Sequence, residues 1–494
     1  MPIALLELAY VLCTLLLSVY GFNSLLLVAL YLRHGRDAPP DPAPADVWPR
    51  VTVQLPIYNE LHTVERLVQA AASMDYPRDR LEIQVLDDSA DETRVLASRV
   101  VRRLREQGCN VVHITRPTRE GFKAGALALG TARAGGELLA IFDADFLPRP
   151  DFLRRVVPHF GDPTVGCVQA RWGHLNRQYS LLTEAQALGV DGHFLVEQTA
   201  RSRARLFINF NGTAGIWRRT CIQDAGGWRA DTLTEDLDLS YRAQLKGWRI
   251  KYLPDVVVPA ELPAQVGGFK RQQARWAQGS IQTAMRLIGP LLRSDQPWAV
   301  KLEGIIHLTG YLVHPLMLVM VLLTATLNLQ ESWALVSTSW LVPAAVGPPL
   351  LYAVAEISSG GQWTRHLRAL PLLVLLGTGI ALSNTRAVVN AILGRQQAFQ
   401  RTPKFALSDI RDRWFHSRYA LELDSLVWGE LGMAAFAFAA VVVPRVDQGA
   451  VPWMLLYAAG SAYVAMVSLV QALERQRWLA TQPKSGARSR EGTR

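Results

Sequence analysis

Long apolar segments, which recur from the N-terminal end to the last third of the chain, set the first limit on its fold. Residues Ile3 to Leu32 hold one charged side chain, that of Glu7. At about 1.5 Å per helical residue, this segment is long enough to cross a hydrocarbon core of about 30 Å. A secretory signal peptide is the alternative, but the segment is too long and lacks a basic start and a small-residue cleavage site. We therefore predict a retained transmembrane anchor in residues 1–36.

Four further apolar segments predict two transmembrane hairpins in the second half of the chain. Three of them carry no charge, and the fourth carries only Glu430. An ionisable side chain inside a span usually faces protein or a polar cavity, so this residue does not exclude a span. The segments are Gly304–Gln330 and Trp333–Ala355, in residues 301–356, and Leu426–Pro444 and Gly449–Leu473, in residues 425–474.

Residues Ala369–Thr385 are also apolar, but they reach only the minimal length of a span. The residues that follow place polar side chains along one helical stripe, which is typical of a helix at the membrane surface. A full crossing would also put the basic loop Gly394 to Asp424 on the far side of the membrane from the soluble part of the chain, against the positive-inside rule. We predict an interfacial or re-entrant helix and a loop in residues 367–424.

The net charge and the cysteines indicate where the chain resides. The formal net charge of +10 is spread over loops and a tail, residues 475–494, which we predict to be disordered. Basic loops beside spans follow from the positive-inside rule, so we expect no nucleic-acid partner. The four cysteines have neither metal-site nor disulfide spacing, which favours a reducing surrounding. We predict an integral, multi-pass protein of the cell (inner) membrane, in contact with lipid, whose soluble domain is cytosolic.

Residues 50–300 have the pattern of an α/β domain, and a Pro- and Ala-rich linker at residues 37–49 precedes them. Short apolar runs alternate with helix-length segments, which predicts βαβ units around a mostly parallel sheet. Ligands of such sheets bind beyond the carboxyl ends of the strands. The predicted strands are Val51–Leu55, Leu81–Leu86, Val111–Ile114 and Leu138–Phe142.

Two acidic pairs follow predicted strands. Asp143 and Asp145 can hold a divalent cation, which acts as a Lewis acid and neutralises a leaving diphosphate. Such acid-x-acid triplets also arise by chance in a chain with 42 acidic residues, but the position after an apolar strand favours a functional role. Asp87 and Asp88 can bind the base or ribose of a nucleotide, or they can simply cap the helix that starts near Glu92.

Three further residues near these strand ends can contact a nucleotide. Tyr58 and Glu60 follow the first strand and can bind the base or ribose. Lys123 opens a predicted helix whose amide groups, with the ammonium group, can approach phosphate. A solvated surface lysine is the alternative for Lys123.

Glu235 and Asp236 stand at the start of another predicted helix and offer a general base. Transfer to a hydroxyl group requires that its proton be removed as it attacks, and a carboxylate opposite the metal can do this. In the alternative, Thr234 caps the helix and the two acids only favour its dipole.

The sequence Gln272-Gln273-Ala274-Arg275-Trp276 lies shortly before the second predicted span, where a helix would run along the membrane surface. Arg275 can pair bidentately with phosphate oxygens, and the indole of Trp276 offers an apolar face on which a sugar ring can stack. The alternative is interfacial anchoring, since Arg and Trp commonly border membranes.

In this order the motifs resemble those of membrane-integrated family 2 glycosyltransferases, the cellulose and mannan synthase-like enzymes, over about residues Arg50 to Lys404. The resemblance implies an α/β domain of the GT-A type, with a Rossmann-like mixed sheet, on an α-helical transmembrane domain. The loop Phe210–Gly215 has the form associated with the plant mannan synthase-like branch. Phe399–Lys404 resembles the gating loop that closes over the donor. Asp87-Asp88-Ser89 departs from the Asp-Asp-Gly of bacterial cellulose synthases, which leaves the donor sugar open.

The resemblance also implies roles for individual residues. Asp236 is the expected catalytic base, and Asp143 and Asp145 are the expected metal ligands, for Mg or Mn. The expected donor-binding residues are Tyr58, Glu60, Asp88, Lys123, Asp143, Gln272, Arg275 and Lys404, and the expected acceptor-binding residues are Trp276, Glu235, Phe210, Gly212 and Thr213.

Together these features predict an inverting, processive β-glycosyltransferase that extends a polysaccharide and passes it through its own spans. GDP-mannose, giving a β-mannan or glucomannan, is the first donor candidate, and UDP-glucose, giving a β-glucan, is the second. One alternative is transfer of a single sugar to a membrane lipid, but Trp276 and the Phe399–Lys404 loop argue against it. Another is an inactive transferase-like transporter or scaffold, but the acidic residues of the motifs are all intact and argue against that. Linkage, polymer length, oligomeric state and accessory subunits stay open.

Overall fold

Seven strands form one mixed sheet in the part of the chain predicted to be α/β. The computed structural model describes residues 3–482 except 36, 38–41, 43–46, 330–341, 396–400, 408, 410 and 443–448. The strands are β1 Val51–Ile57, β2 Leu81–Asp87, β3 Val111–Thr115, β4 Leu138–Ile141, β5 Val165–His174, β6 Gly215–Arg218 and β7 Arg249–Ala260. Their order is β3-β2-β1-β4-β6-β5-β7. β1 to β4 are parallel, β6 is antiparallel to both neighbours, and β7 is parallel to β5.

Helices cover the sheet and make up most of the remaining chain. Those within the α/β part are α2 Val64–Ala72, α3 Thr93–Glu106, α4 Phe122–Arg133, α5 Phe152–Val156, α6 Leu181–Asp191, a π-helical stretch Gly192–Gln198, α7 Thr199–Arg203, α8 Arg219–Asp224 and α9 Glu235–Leu245. The others are α1 Ile3–His34, α10 Val266–Arg293, α11 Trp298–Thr309, α12 Val313–Leu329, α13 Val342–Ser359, α14 Trp363–His366, α15 Leu370–Gly379, α16 Ala381–Ile392, α17 Leu426–Val442 and α18 Val451–Thr481.

The apolar run of β4 shows why this central strand is buried on both faces. Leu138 and Ala140 belong to a core shared with α2 and α3, whereas Leu139 and Ile141 belong to a core shared with α4 and α9. Successive side chains of a strand point to opposite faces, so a continuous apolar run suits a sheet that helices cover on both sides. The four predicted strands are observed as β1 to β4, each within two residues of its predicted range.

Three helical segments of the described chain are long and apolar enough to cross a membrane. They are Ile3–His34, Trp298–Asn328 and Val451–Thr481. The first holds the predicted anchor, and the other two coincide with the predicted segments Gly304–Gln330 and Gly449–Leu473 over most of their length.

The other predicted spans are shorter or interrupted. α17 is apolar and ends at Val442, two residues before the predicted limit. α13 has two prolines in its interior, Pro348 and Pro349, and matches the later part of the predicted segment Trp333–Ala355, whose first residues lie outside the described residues. Trp363–Gly379 and Ala381–Ile392 are apolar together but meet at a 43° bend. This bend falls inside the predicted segment Ala369–Thr385 and is compatible with a re-entrant helix or a broken span.

α18 extends into the residues that were predicted to form a disordered tail. α18 runs to Thr481, so residues 475–481 are helical rather than disordered. The sequence after Leu473 is rich in good helix formers, which lets the helix continue beyond its apolar part. Trp478 also packs against the ring of His416, with ring centroids 5.1 Å apart. The rest of the predicted tail, and most of the predicted linker, lie outside the described residues.

α10 joins the α/β part to the apolar helices. It packs against α9 on one side and against α16 and α18 on the other. Because it carries the Gln272–Trp276 motif, it brings that motif between the sheet and the membrane helices.

Candidate active site

A cleft opens at the carboxyl ends of the central strands, on the side of the sheet that faces α10. All of the predicted site residues line it except Asp87, Phe210 and Thr213. Those that line it are Tyr58, Glu60, Asp88, Lys123, Asp143, Asp145, Gly212, Glu235, Asp236, Gln272, Arg275, Trp276 and Lys404. The structure therefore brings together, around one cleft, residues that are distant in sequence.

Phe210 and Thr213 support the cleft instead of lining it, since both are fully buried. Phe210 packs against Trp217, with ring centroids 5.6 Å apart. The Thr213 hydroxyl accepts a hydrogen bond of 2.9 Å from the backbone N–H of Asp143. Between them Gly212 has φ +79°, and a Cβ there would lie 2.8 Å from a carboxylate oxygen of Asp236. Only glycine fits this left-handed conformation and close approach.

Lys123 lies at the centre of the cleft. Its Nζ is 2.6 Å from Asp143 Oδ1 and 3.9 Å from Glu235 Oε1. It also donates a hydrogen bond of 2.8 Å to the Gly212 carbonyl. Burial would lower the pKa of this ammonium group, but Asp143 and Glu235 raise it above its ordinary value. Lys123 is therefore a charged group within the site and not a solvated surface lysine.

Asp236 lies in the first turn of α9. Thr234 precedes this helix but makes no side-chain cap. The Asp236 Oδ1 atom instead accepts a hydrogen bond of 2.8 Å from the backbone N–H of Leu237. Burial and the neighbouring Glu235 raise the pKa of the Asp236 carboxyl to about 7, although Lys123 and Arg275 partly offset this effect. A carboxyl with a pKa near neutrality is suited to exchange a proton with a substrate.

α10 is held against the segment before Asp236. The backbone N–H of Leu233 donates to Gln282 Oε1 at 3.0 Å. A Cβ on Gly279 would lie 2.5 Å from Thr234 Cγ2, so this helix packs directly on the chain that leads into α9. The same helix presents Gln272, Arg275 and Trp276 at spacings of three and four residues, which places them on one face.

The carboxylates after β2 are engaged in local contacts. Asp88 receives a bidentate pair from Arg116, whose Nε and Nη2 lie 2.9 and 2.5 Å from its two oxygens. Asp87 accepts from the backbone N–H of Ser89 and pairs with His113, both at 2.8 Å. Neither carboxylate caps α3, since the backbone N–H of Thr93 donates to Asp91. Helix capping therefore does not explain the acidic pair.

The residues after β1 meet a loop from the C-terminal half. Arg401 Nη1 lies 2.6 Å from Glu60 Oε2. Burial raises the pKa of the Glu60 carboxyl to about 7, and Arg401 opposes that rise. Tyr58 stacks beneath Arg119, with the guanidinium carbon 3.4 Å from the ring centroid. This edge of the cleft thus combines an aromatic face with cationic groups.

Lys404 reaches into the cleft from the same loop. Its Nζ lies 2.7 Å from Asp145 Oδ2 and donates to the Glu261 carbonyl at 2.5 Å. The backbone N–H of Phe405 donates to Glu261 Oε1 at 2.7 Å. The loop is therefore closed over the acidic end of β4. Phe399 and Gln400, the first residues of the predicted gating loop, lie outside the described residues.

The residues after β4 fit a divalent cation. Asp143 and Asp145 both line the cleft and offer carboxylate oxygens, the ligands that Mg²⁺ and Mn²⁺ prefer. Among the described residues, no group of three or more His, Cys, Asp or Glu side chains is arranged to hold a metal ion. Two carboxylates suit a cation that completes its coordination with diphosphate oxygens and water.

Several lining residues were not predicted from the sequence. Trp172 and His174 end β5, Glu261 follows β7, and Arg119 and Arg401 flank Tyr58 and Glu60. The only signal for β5 was the short run Val165–Val168, after which Gln169 and Arg171 interrupt the apolar residues.

Comparison with known proteins identifies the domain that carries this cleft. Residues 49–279 match the model of the glycosyltransferase like family 2. These residues form a glycosyltransferase family 2 domain. The match ends within α10, just after the Gln272–Trp276 motif, so the family 2 domain contains the whole cleft except the Arg401–Lys404 loop.

The chain is similar to plant glucomannan 4-beta-mannosyltransferases. It is 46% identical over 237 residues to probable glucomannan 4-beta-mannosyltransferase 7 of Oryza sativa subsp. japonica, covering 47% of this chain and 40% of the relative. It is 42% identical over 254 residues to glucomannan 4-beta-mannosyltransferase 2 of Arabidopsis thaliana, covering 50% and 48%. It is 33% identical over 371 residues to glucomannan 4-beta-mannosyltransferase 7 of Arabidopsis thaliana, covering 72% and 65%. The chain thus spans about half the length of the relatives that it matches.

The fold also resembles a solved mannosyltransferase. The structure of mannosyltransferase PcManGT from Pyrobaculum calidifontis, in complex with GDP-Man and Mn²⁺, aligns with a TM-score of 0.53 and 25% sequence identity. The alignment covers 78% of this chain and 99% of that chain. The predicted GT-A-like mixed sheet accompanied by apolar helices is confirmed.

Proposed function

We propose that this protein is an inverting β-mannosyltransferase that extends a β-mannan or glucomannan chain from GDP-mannose at a membrane. The observation that carries this proposal is the single cleft shared by Asp236, Arg275 and the Asp143–Asp145 pair. The names of the plant relatives and the GDP-Man complex of the structural neighbour support mannose over glucose as the donor sugar.

In the proposed reaction, Asp236 accepts the proton of an acceptor hydroxyl as its oxygen attacks the anomeric carbon, and the diphosphate leaves from the opposite face. Arg275 and Lys123 bind the diphosphate and balance its growing charge. Asp143 and Asp145 would hold a divalent cation, Mg or Mn, which supplies Lewis-acid stabilisation of the leaving group. Tyr58, Glu60 and Asp88 line the end of the cleft for the nucleoside, and Lys404 closes over the donor.

The acceptor is proposed to be the growing polysaccharide. Trp276 offers its indole face to the terminal sugar, beside Gly212 and Glu235. Half-buried and buried polar side chains continue from this point into the helical part. Tyr311 donates to Gln273 Oε1 at 3.2 Å, and Asn384 lies 2.9 Å from His314 Nε2. Polar groups between apolar helices commonly mark a substrate path, which supports processive extension and passage of the product through the membrane.

The proposed setting is a cell (inner) membrane with the family 2 domain on the cytosolic side. The anchor and four later spans would cross it, and α15 and α16 would form the interfacial or re-entrant element. The apolar helices Ile3–His34, Trp298–Asn328 and Val451–Thr481 support a membrane location.

The test uses the full chain purified in detergent, with GDP-[¹⁴C]mannose and UDP-[¹⁴C]glucose offered separately together with a manno-oligosaccharide. We expect label from GDP-mannose to enter a product that endo-β-1,4-mannanase degrades. Label that enters a β-glucan from UDP-glucose would show that the donor is UDP-glucose and not GDP-mannose. Label found only in the organic phase, as a single sugar on lipid, or no transfer at all, would overturn the proposal. Asp236→Asn protein controls for contaminating activity.

A further inference from the structure

Two side chains at the end of β5 line the cleft without a place in the proposed reaction. They are Trp172 and His174. Residues 171–174 pair in regular register with residues 257–260 of β7. Side chains two apart on a regular strand lie on the same face, so these two rings stand side by side. The ring of Trp172 lies 6.4 Å from that of Trp276, centroid to centroid.

Each of the two rings has one polar atom that is buried and has no hydrogen-bond partner among the described residues. These atoms are Trp172 Nε1 and His174 Nδ1. Other buried side-chain atoms of the described chain also lack a partner, but these two belong to residues at one strand end that line the cleft, where a ligand can satisfy them. The indole N–H can only donate a hydrogen bond. Trp172 and His174 therefore offer polar atoms for hydrogen bonds in addition to aromatic rings beside Trp276.

The hydrogen-bonding role of His174 follows from its neighbour Asp191. His174 Nε2 lies 2.9 Å from Asp191 Oδ1. Burial would raise the pKa of the Asp191 carboxyl, but His174 and Arg177 lower it below its ordinary value. A carboxylate only accepts hydrogen bonds, so Nε2 carries the hydrogen that Asp191 accepts, and Nδ1 is the acceptor nitrogen in this tautomer. Trp172 and His174 thus present one donor and one acceptor.

A chain of buried charges holds His174 in place. The side chains of His174 and Asp191 are 8% and 9% exposed. Arg177 bridges Asp191 and Glu356 of α13, at 2.7 and 2.6 Å. A ring held through Nε2 by a buried carboxylate loses little conformational freedom when it binds, which suits a specificity contact.

We propose that Trp172 Nε1 and His174 Nδ1 bind hydroxyl groups of the acceptor glycan beside the indole of Trp276. This inference rests on the proposed function, because it names the acceptor side of the same cleft. A sugar hydroxyl both donates and accepts hydrogen bonds, and sugar rings stack on aromatic faces. A phosphate would not use the His174 acceptor, and a cation would not use the indole donor.

The sheet order places this pair on the acceptor side and not on the nucleoside side. β5 is separated from β4 by β6, whereas β2, which leads into Asp88, lies beyond β1 on the other side of β4. Trp172 and His174 thus stand on the half of the sheet opposite Asp88, with the Asp143–Asp145 pair between them.

The test compares Trp172→Phe and His174→Phe in the purified full chain, with mannohexaose as acceptor and GDP-mannose as donor. Phenylalanine keeps a ring but removes the polar atoms. We expect each variant to raise the KM for mannohexaose about tenfold, the effect of one lost hydrogen bond to a ligand. The dissociation constant for GDP alone should change less than about twofold, since the nucleotide lies elsewhere.

Two matched variants separate contact with the glycan from general effects. Trp248→Phe removes an indole N–H that bonds Asp224 at the surface. His366→Phe removes the ring that lies 2.9 Å from Glu356, at the far end of the buried network. Both should keep the wild-type KM for mannohexaose. If His366→Phe raises the KM for mannohexaose as much as His174→Phe does, His174 acts through the buried network. That result would overturn its role as a glycan contact.

The outcomes also separate this inference from the proposed function. If the wild-type chain transfers mannose to mannohexaose but Trp172→Phe and Trp248→Phe have the same KM for mannohexaose, the inference is wrong and the proposed function stands. If GDP affinity falls as much as acceptor affinity, the pair is not an acceptor site. If the wild-type chain transfers nothing, both fail. If His174→Phe misfolds and loses GDP binding, the KM of Trp172→Phe for mannohexaose decides whether the inference holds.

Discussion

The ammonium group of Lys270 lies 2.5 Å from a carboxylate oxygen of Glu430, and the two side chains are 3% and 0% exposed. Lys270 belongs to α10, which carries the Gln272–Trp276 motif, and Glu430 belongs to the apolar helix α17. The pair therefore joins the helix that borders the cleft to one of the helices predicted to span the membrane. The expectation that Glu430 faces protein is confirmed.

Glu430→Ala should lower the stability of the protein by about 3–5 kcal/mol, because it leaves the Lys270 charge buried without its nearest partner. The measurement is the thermal melting of the purified chain in detergent. Glu474→Ala, which removes an exposed carboxylate of α18, is the control and should leave the melting temperature unchanged.

A double variant tests whether charge pairing is the cause. Replacing Lys270 by Met and Glu430 by Leu removes both charges, and buried pairs replaced in this way often keep their stability. We expect the double variant to melt well above Glu430→Ala. Equal melting temperatures for these two proteins would contradict the interpretation.

Asp236→Asn should reduce mannosyl transfer by about 10² to 10⁴-fold, since an amide cannot accept the proton of the attacking hydroxyl. Binding of GDP should persist, because the substitution keeps the shape of the side chain and its contact with Leu237. Asp231→Asn, at an exposed pair with Arg286, is the matched control. Transfer by Asp236→Asn at the wild-type rate would exclude Asp236 as the base.

The raised pKa of Asp236 also predicts a pH profile. A general base acts in its deprotonated form, so a carboxyl whose pKa is about 7 is active above that pH and is progressively protonated below it. The value of kcat/KM at fixed metal concentration should fall about tenfold per pH unit below neutrality and level off above it. A profile that stays flat down to pH 5 would mean that a group with an ordinary carboxyl pKa accepts the proton.

The sequence predicted the half of the sheet in which strands alternate regularly with helices, and it missed the half in which they do not. β1 to β4 are separated by α2, α3 and α4, so this alternation can be recognised although polar residues interrupt β1, β2 and β3. β5 and β7 contain charged residues such as Arg171 and Asp255, and β6 is only four residues long. Trp172, His174 and Glu261 lie at the ends of β5 and β7, which is why they were missed.

The resemblance to a family assigned a loop more reliably than it assigned single side chains. Phe210, Gly212 and Thr213 were all expected at the acceptor, yet only Gly212 lines the cleft. A motif identifies a backbone path, whereas the direction of each side chain depends on packing that spacing does not reveal. Arg401 shows the converse, since it stands in the quoted gating loop and its contact with Glu60 became apparent only in the structure.

Lys404→Ala should raise the KM for GDP-mannose by about 10-fold to 100-fold, since charge-assisted contacts to a diphosphate contribute about 1.5–3 kcal/mol. The melting temperature should change little, because Phe405 still anchors the loop through its backbone bond to Glu261. Lys246→Ala, at an exposed position after α9, controls for loss of a positive charge. Wild-type donor kinetics for Lys404→Ala would argue against a loop that closes on the donor.

Chelation should stop transfer in this protein, and the two carboxylates after β4 should set the metal requirement. Treatment with EDTA is expected to abolish activity, and titration with MgCl₂ or MnCl₂ should restore it, since the diphosphate needs a cation to leave. Asp145→Asn should raise the metal concentration for half-maximal activity at least tenfold, because one anionic oxygen ligand is lost. Asp151→Asn, on the exposed surface beyond the same strand, should keep the wild-type requirement. Full activity in EDTA would remove the metal from the mechanism and leave Lys123, Arg275 and Lys404 as the groups that neutralise the diphosphate.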